Sequence, residues 1–304
     1  MKKLNVALFG LGRFGKNYAR LLSEMKRNVK FRAIVTATEK SRDSFTLPSS
    51  VIQTTNSSIV FNDKTIDAVV LVTPPSTHFE LAKKSLESGK HVLVEKPMVL
   101  SLREAENLSG VVRDSKKVFM IGYQYVYNDH IRKVKKILED NTKDKPKYMI
   151  MEHFLSPEPK DTDIFWEAGP HPLSIFQHIF NPTKILYVNG ITRKDFVSAM
   201  IKFDRGPLLQ IIASWRGEKK VRMLRIAREN SLVSLDETSE KNKLIIADTG
   251  GKVIFPFVKT TEPLRNEVEH FIKCVGGNKT PLTNFDFGFK VTRWLHEISN
   301  EMTR

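Results

Sequence analysis

Residues 4–15 read LNVALFGLGRFG: an apolar run of strand length that gives way to G-x-G-x-x-G. Behind it, Arg13–Lys26 carries Phe14, Tyr18, Leu21, Leu22 and Met25 at helical spacing. Strand, glycine turn and helix in that order form the setting in which the motif acquires meaning. Gly10 permits the tight turn, Gly12 lets a pyrophosphate approach the backbone, and Gly15 lets helix and strand pack closely. The helix N-terminus offers unpaired N–H groups to phosphates, and Arg13 adds charge. A dinucleotide site follows, with Gly10, Gly12, Arg13, Phe14 and Gly15 as its expected contacts.

Working outward, the pattern repeats. Phe31–Val35, Val51–Thr54, Ala68–Val72, Val92–Val94 and Val118–Ile121 read as strands, and Thr77–Ser88 and Leu102–Lys116 as helices. Strands alternating with helices imply parallel pairing, with helices on both sheet faces. Beyond about residue 122 the texture changes. Lys147–Phe154, Ile185–Asn189, Phe196–Phe203, Leu208–Ser214, Arg222–Ala227, Ser231–Leu235 and Lys243–Ala247 follow one another through short turns. Strands in succession predict a mostly antiparallel sheet. Pro263–Val275, with Leu264, Val268, Phe271 and Ile272 on one face, and Phe287–Met302 read as closing helices. The division expected is 1–122 for the nucleotide domain and 123–304 for substrate and assembly, with the last helices packing back on the first domain.

Dinucleotide sites often carry an acid at the end of the second strand, hydrogen-bonded to the adenosine ribose. Here Thr36, Thr38, Lys40 and Arg42 follow Val35 instead. Hydroxyls and cations suit a 2′-phosphate better than a carboxylate would. The balance leans to NADP, and Glu39 keeps NAD open.

The 304 residues are 40% hydrophobic and 27% charged, ordinary for a globular chain of two domains. No apolar run approaches membrane-spanning length. Lys2 and Lys3 before an apolar stretch mimic a signal peptide, but Gly10, Gly12 and Arg13 interrupt it early, so a cytoplasmic protein is expected. Cys274 is the only cysteine, which excludes internal disulfides and multi-cysteine zinc sites. No histidine pair has helical metal-ligand spacing, so no metal is expected. The formal charge of +15 favours anionic partners: a nucleotide, a phosphorylated or carboxylated substrate, or nucleic acid. The chain lacks a helix-turn-helix, zinc or aromatic-basic signature, so nucleic acid is not the expected partner.

Ligands of open parallel sheets bind beyond the carboxyl ends of strands. At two such ends stand Thr73-Pro74-Pro75, with His78 just beyond, and Glu95-Lys96-Pro97. Paired prolines stop a strand and stiffen a loop against a cofactor. A lysine beside a nicotinamide can hydrogen-bond a substrate hydroxyl, and a positive ring nearby eases its loss of a proton. Taken alone, E-K-P is a solvated turn. Here it joins Thr73-Pro74-Pro75-Ser76-Thr77-His78-Phe79-Glu80 and Ser88-Gly89-Lys90-His91-Val92-Leu93-Val94, at a set distance from the glycine loop. Together these stretches resemble the Gfo/Idh/MocA oxidoreductases, and Glu262–Phe271 resembles that family's late helix. The resemblance is strong over residues 1–125 and moderate beyond.

It implies a Rossmann domain, a doubly wound parallel sheet, followed by an α+β domain with an open, mostly antiparallel sheet that often makes dimers or tetramers. It implies that Lys96 touches cofactor and substrate and that Glu95 lies near the nicotinamide ribose. It also allows a cis bond before Pro97, whose cost proline lowers. Thr73, Pro74, Pro75 and His78 are then cofactor neighbours.

The family supplies a D-x-G-x-H segment from its second domain, and this chain has Glu167-Ala168-Gly169-Pro170-His171. His171 matches the histidine; Glu167 replaces the aspartate. An imidazole titrates near neutrality and can take a hydroxyl proton, while Glu167 can orient it. Ser174 falls where relatives carry a polar residue near substrate, and Val126 where many carry arginine. Trp166, Tyr123, Gln124 and Tyr127 are candidate pocket walls; His153 and His178 read as structural. The expected function is NAD(P)-dependent hydride transfer to or from a secondary alcohol or ketone of a sugar, cyclitol, sugar acid or nucleotide sugar. Lys96 and His171 converge on it from the two domains. The alternative is a dinucleotide-binding sensor or scaffold without chemistry, favoured by the Asp-to-Glu departure.

Overall fold

In the computed structural model, which describes residues 3–39, 45–155 and 163–302, the alternating N-terminal segments become β1 (Leu4–Phe9), α1 (Gly15–Glu24), β2 (Val29–Val35), β3 (Ile52–Thr54), α2 (Ser58–Asn62), β4 (Ala68–Leu71), α3 (His78–Glu87), β5 (His91–Glu95), α4 (Leu102–Ser115) and β6 (Phe119–Gly122). Their strands pair in parallel in the order β3-β2-β1-β4-β5-β6. The order reverses between β1 and β4, the place where open α/β sheets bind ligands. β4 is Ala-Val-Val-Leu and buried throughout, the signature of a strand covered on both faces. α4 is held by a capping box: Ser101 Oγ accepts from Glu104 N at 3.1 Å, and Glu104 Oε2 accepts from Ser101 N at 3.0 Å. Such caps contribute about 1 kcal/mol.

The middle of the chain forms α5 (Asp129–Asp140), β7 (Pro146–Phe154), α6 (Ile164–Ala168), α7 (Pro170–Phe180), β8 (Ile185–Arg193), β9 (Phe196–Phe203), β10 (Leu208–Ser214), β11 (Val221–Arg228), β12 (Ser231–Asp236), β13 (Leu244–Asp248) and β14 (Val253–Ile254). The second sheet runs β14-β13-β12-β11-β7-β10-β9-β8; only β7 and β10 pair in parallel. One face is buried by period-two residues such as Val197, Ala199, Ile201 and Phe203. Phe203 stacks on Phe176 of α7, with ring centroids 4.9 Å apart. The opposite face exposes Tyr148, Tyr187, Ile191, Phe196 and Met200, which the cross-strand register places on one side.

The chain closes with α8 (Pro263–Gly277) and α9 (Phe285–Glu301). It divides into two units: Met1–Tyr123 with Leu264–Thr292, and Gln124–Pro263 with Arg293–Arg304. Within unit 1, the returning segment seals the edge strand β6. Ile121 N donates to Thr283 O at 2.9 Å, and Thr283 Oγ1 donates to Ile121 O at 2.6 Å. A Cβ on Gly288 would lie 2.6 Å from Ile121, so only glycine lets α9 sit this close. Among the described residues no helix is long and apolar enough to cross a membrane.

Candidate active site

Unit 1 presents the glycine turn at the carboxyl end of β1. Gly10 adopts φ +94°, and a Cβ there would come within 2.3 Å of Val72 O. A Cβ on Gly15 would come within 2.4 Å of Gly10 O, whereas one on Gly12 would meet nothing within 4 Å. Two glycines therefore serve the fold, and the third leaves the backbone open to a ligand. α1 starts without a side-chain cap and without an acid in its first turn, so its terminal N–H groups suit an anion. Arg13 is exposed beside them. These features fit the diphosphate of a dinucleotide.

At the end of β2, Thr36 is only 3% exposed. Its N–H donates to Thr54 O at 3.0 Å and its hydroxyl to Thr38 O at 2.9 Å. Thr38 is exposed. Arg42 lies outside the described residues.

At the end of β4, Pro75–Thr77 form a 3₁₀ turn, and the Thr77 hydroxyl lies 2.7 Å from that of Thr73 and 2.8 Å from Pro74 O. His78, expected beside the cofactor, is fully buried. Its Nδ1 is 2.8 Å from Pro97 O and its Nε2 2.9 Å from Thr73 O. Burial holds its pKa below the ordinary value; the two carbonyls oppose this only in part, and the Lys96 charge adds to the drop. The ring is a brace between the two strand-end loops, a correction to the direct cofactor contact expected of it.

At the end of β5, Lys96 is partly exposed and the Lys96–Pro97 peptide is cis. Glu95 is buried. Its Oε2 accepts from Lys96 N at 3.0 Å, and its Oε1 accepts from the Tyr18 hydroxyl at 2.6 Å. The carboxylate thus grips the backbone of the turn that carries Lys96.

Unit 2 presents the second cluster. α6 and α7 meet at Gly169. A Cβ there would lie 2.5 Å from Phe165 O and 3.1 Å from Leu295, so glycine is what allows the two short helices to abut. Pro170 takes the first position of α7, where the missing N–H is harmless. Glu167 and His171 therefore stand on successive helices rather than on one. His171 is 9% exposed, with its ring centroid 4.9 Å from Tyr125, edge-on, and 5.5 Å from His153. Arg222, opposite His153 in the register of β11 and β7, sits over the Tyr125 ring at 5.8 Å. The Tyr125 hydroxyl is buried and meets no hydrogen-bond partner among the described residues; burial pushes its pKa up to about 12.

Other expected residues are placed differently. Tyr123 is 1% exposed and packs its ring 5.6 Å from Phe287 within unit 1, so it is core. Burial pushes its phenol far above the ordinary value. Ser174 is fully buried and donates to His171 O one helical turn back at 2.9 Å. Helix packing has claimed its hydroxyl. Trp166 is partly exposed, edge-on to His296 at 4.8 Å. Gln124 is partly exposed at the start of a 3₁₀ turn that buries Tyr125, Val126 and Tyr127. Sequence reasoning missed Tyr125 and read His153 as structural. The alternation along β7, which buries Met149, Met151 and His153 together, is the signal that points His153 inward.

Residues 4–123 match the family model described as the oxidoreductase family with an NAD-binding Rossmann fold, GFO_IDH_MocA. The UDP-N-acetylglucosamine 3-dehydrogenase of Acidithiobacillus ferrooxidans is 26% identical over 233 residues, 70% of this chain and 72% of that protein. The NAD(+)-dependent scyllo-inositol 2-dehydrogenase of Bacillus subtilis is 26% identical over 246 residues, 73% of this chain and 71% of that one. Across three curated relatives the matched stretch spans 56 to 72% of their length. The solved structure of the Acidithiobacillus ferrooxidans enzyme superposes with a TM-score of 0.85 at 19% identity, covering 99% of this chain and 98% of that one. This last likeness speaks for the fold. Residues 4–123 thus carry the NAD-binding Rossmann fold of the Gfo/Idh/MocA oxidoreductase family.

Proposed function

We propose that this protein is an NAD(P)-dependent dehydrogenase or reductase acting on a secondary alcohol or ketone of a sugar, cyclitol, sugar acid or nucleotide sugar. The observation that carries the reading lies in unit 1. An open glycine turn and a lysine share the carboxyl-terminal edge of one parallel sheet, the lysine held by a buried carboxylate. The nicotinamide, when bound, supplies the hydride acceptor or donor. Gly10, Gly12 and Gly15, with Arg13 and Phe14, hold the diphosphate. Thr36, Thr38 and Arg42 are the residues offered to the adenosine end, where a hydroxyl in place of an acid directly after β2 favours NADP and Glu39 keeps NAD open. Thr73, Pro74, Pro75 and Glu95 shape the nicotinamide end.

Lys96 hydrogen-bonds the substrate hydroxyl and holds or returns its proton. His171 is a second proton acceptor for the same reaction, oriented by Glu167, and Tyr125 offers its buried hydroxyl to the substrate. Gln124 and Trp166 wall the substrate side. Relatives named as dehydrogenases of UDP-N-acetylglucosamine and scyllo-inositol support this substrate class. The charge of +15 supports an anionic member of it. A cytoplasmic location is part of the same reading.

Purified protein incubated with NAD⁺ or NADP⁺ and a panel of inositols, UDP-N-acetylglucosamine and sugar acids is expected to generate reduced cofactor with at least one substrate. His171→Ala should lower kcat about 10²- to 10³-fold, the range of a lost acid–base group. Cofactor binding without turnover across the whole panel would overturn the enzymatic reading in favour of a sensor.

The exposed apolar face of the second sheet supports a homo-oligomer. Tyr187, Ile191, Phe196 and Met200 together form a patch of the kind that monomers cover. Light scattering should return a dimer or tetramer of the 34.9 kDa chain; a monomer at all concentrations would remove this part of the reading.

A further inference from the structure

α8 lays Leu264, Val268, Phe271 and Ile272 along one buried face, and Glu267 stands in the middle of that stripe, fully buried. A carboxylate in apolar surroundings is costly unless it is paired or neutralised. Its neighbour is Tyr18 of α1, itself fully buried. Tyr18 Oη lies 2.8 Å from Glu267 Oε1 and 2.6 Å from Glu95 Oε1. A phenol carries one hydrogen and can donate it to one carboxyl only. The other carboxyl, if ionised, would set a lone pair against the phenol oxygen at hydrogen-bond distance. A second proton closes the chain.

The surroundings decide where that proton sits. Glu95 accepts at both oxygens, from the Tyr18 hydroxyl and from Lys96 N–H, and donors aimed at a carboxylate favour its charged form. Glu267 Oε2 is buried and meets no hydrogen-bond partner among the described residues, which favours the neutral acid. Burial first, and then the nearby Glu95 charge, push the Glu267 carboxyl upward. Among the described residues, the titratable groups that act on Glu267 are Glu95 from β5 and Tyr18 from α1. On β6, a Cβ at Gly122 would lie 3.0 Å from Glu95 Oε1 and 3.3 Å from Tyr18 Oη. Glycine there leaves room for the bridge.

We propose that Glu267 is a positioning residue: it carries a proton at neutral pH and, through Tyr18, fixes the Glu95 carboxylate that grips the Lys96 turn. The donor order runs from Glu267 to Tyr18 Oη and from Tyr18 to Glu95 Oε1. The orientation of the turn is thereby set from α8, late in the sequence. That the turn meets a nicotinamide cofactor rests on the function proposed above; the location of the proton does not.

The full-length protein tests both parts. Infrared difference spectra of wild type against Glu267→Gln, at neutral pH, should show a protonated carboxylic acid band in wild type that the variant lacks. Glutamine keeps an N–H donor for Tyr18, so NADH affinity, read by fluorescence titration, should stay within about twofold. Glu267→Leu removes the donor and should weaken NADH binding about tenfold, the scale of one hydrogen bond to a charged group. Should the leucine variant fail to fold by circular dichroism, Tyr18→Phe replaces it, with the same NADH effect and the acid band retained at higher frequency. A wild type without the band, or a band unchanged in Glu267→Gln, overturns the proton. NADH affinity unchanged by loss of the bridge overturns the positioning role. A wild type that binds no NADH would fell the proposed function and the positioning role with it, while the infrared result still judges the proton.

Discussion

Lys96→Ala is expected to reduce kcat at least about 10³-fold on any substrate the protein turns over, with NADH affinity changed only a few-fold. The magnitude is that of an acid–base group removed from the reacting hydroxyl. Lys96 stands partly exposed at the end of β5, while its own backbone is held by Glu95. The chain beneath the side chain is thus fixed. Removing the ammonium leaves that anchoring intact, so cofactor binding survives and chemistry does not. Lys96→Arg sharpens the test. It keeps the positive charge, but a guanidinium does not release a proton at working pH. If proton transfer is the role, arginine should be nearly as inactive as alanine. Activity within about tenfold of wild type in Lys96→Arg would assign the lysine to electrostatics alone.

Gly10→Ala should cost roughly 2–5 kcal/mol of stability and abolish cofactor binding. Two penalties coincide at this residue. Its φ of +94° lies where side-chain-bearing residues are strained. Its added Cβ would press to 2.3 Å from Val72 O, a backbone atom at the end of the buried central strand β4, so relief requires separating β1 from β4. Gly12→Ala is the contrast. With nothing within 4 Å of its Cβ, stability should hold within about 0.5 kcal/mol, while NADH affinity falls because the methyl takes the space of the diphosphate. Urea denaturation and NADH titration on the two variants separate the glycine that builds the loop from the glycine that admits the ligand. Equal stability losses in both would show that this division is wrong.

The parallel sheet was legible because strands buried on both faces must be continuous apolar runs, as Ala68–Leu71 is. The second sheet was legible because one buried face writes alternation into every strand, as in Phe196–Phe203. α5 escaped because its buried residues, Ile131 and Val134, are few and surrounded by lysine and arginine. α2 is too short for periodicity to register. In the site, strand-end residues such as Lys96 could be read from local order. The network behind them could not. Tyr18 and Glu267 lie 77 and 172 positions from Glu95, and in a helical wheel Tyr18 reads as one more apolar contact. Tyr123 was misplaced for the same reason: its ring answers to Phe287, far along the chain.

The threonine strap at Thr283 has a consequence for biosynthesis. Residues 4–123 leave the ribosome long before Thr283 is made, so β6 must wait with its outer edge bare while some 160 further residues are added. Closing so long a loop is slow relative to local pairing. The nucleotide-binding half is therefore the first to be translated and among the last to be finished, which gives the nascent chain an interval in which an unprotected strand edge depends on chaperones or on rapid completion of synthesis.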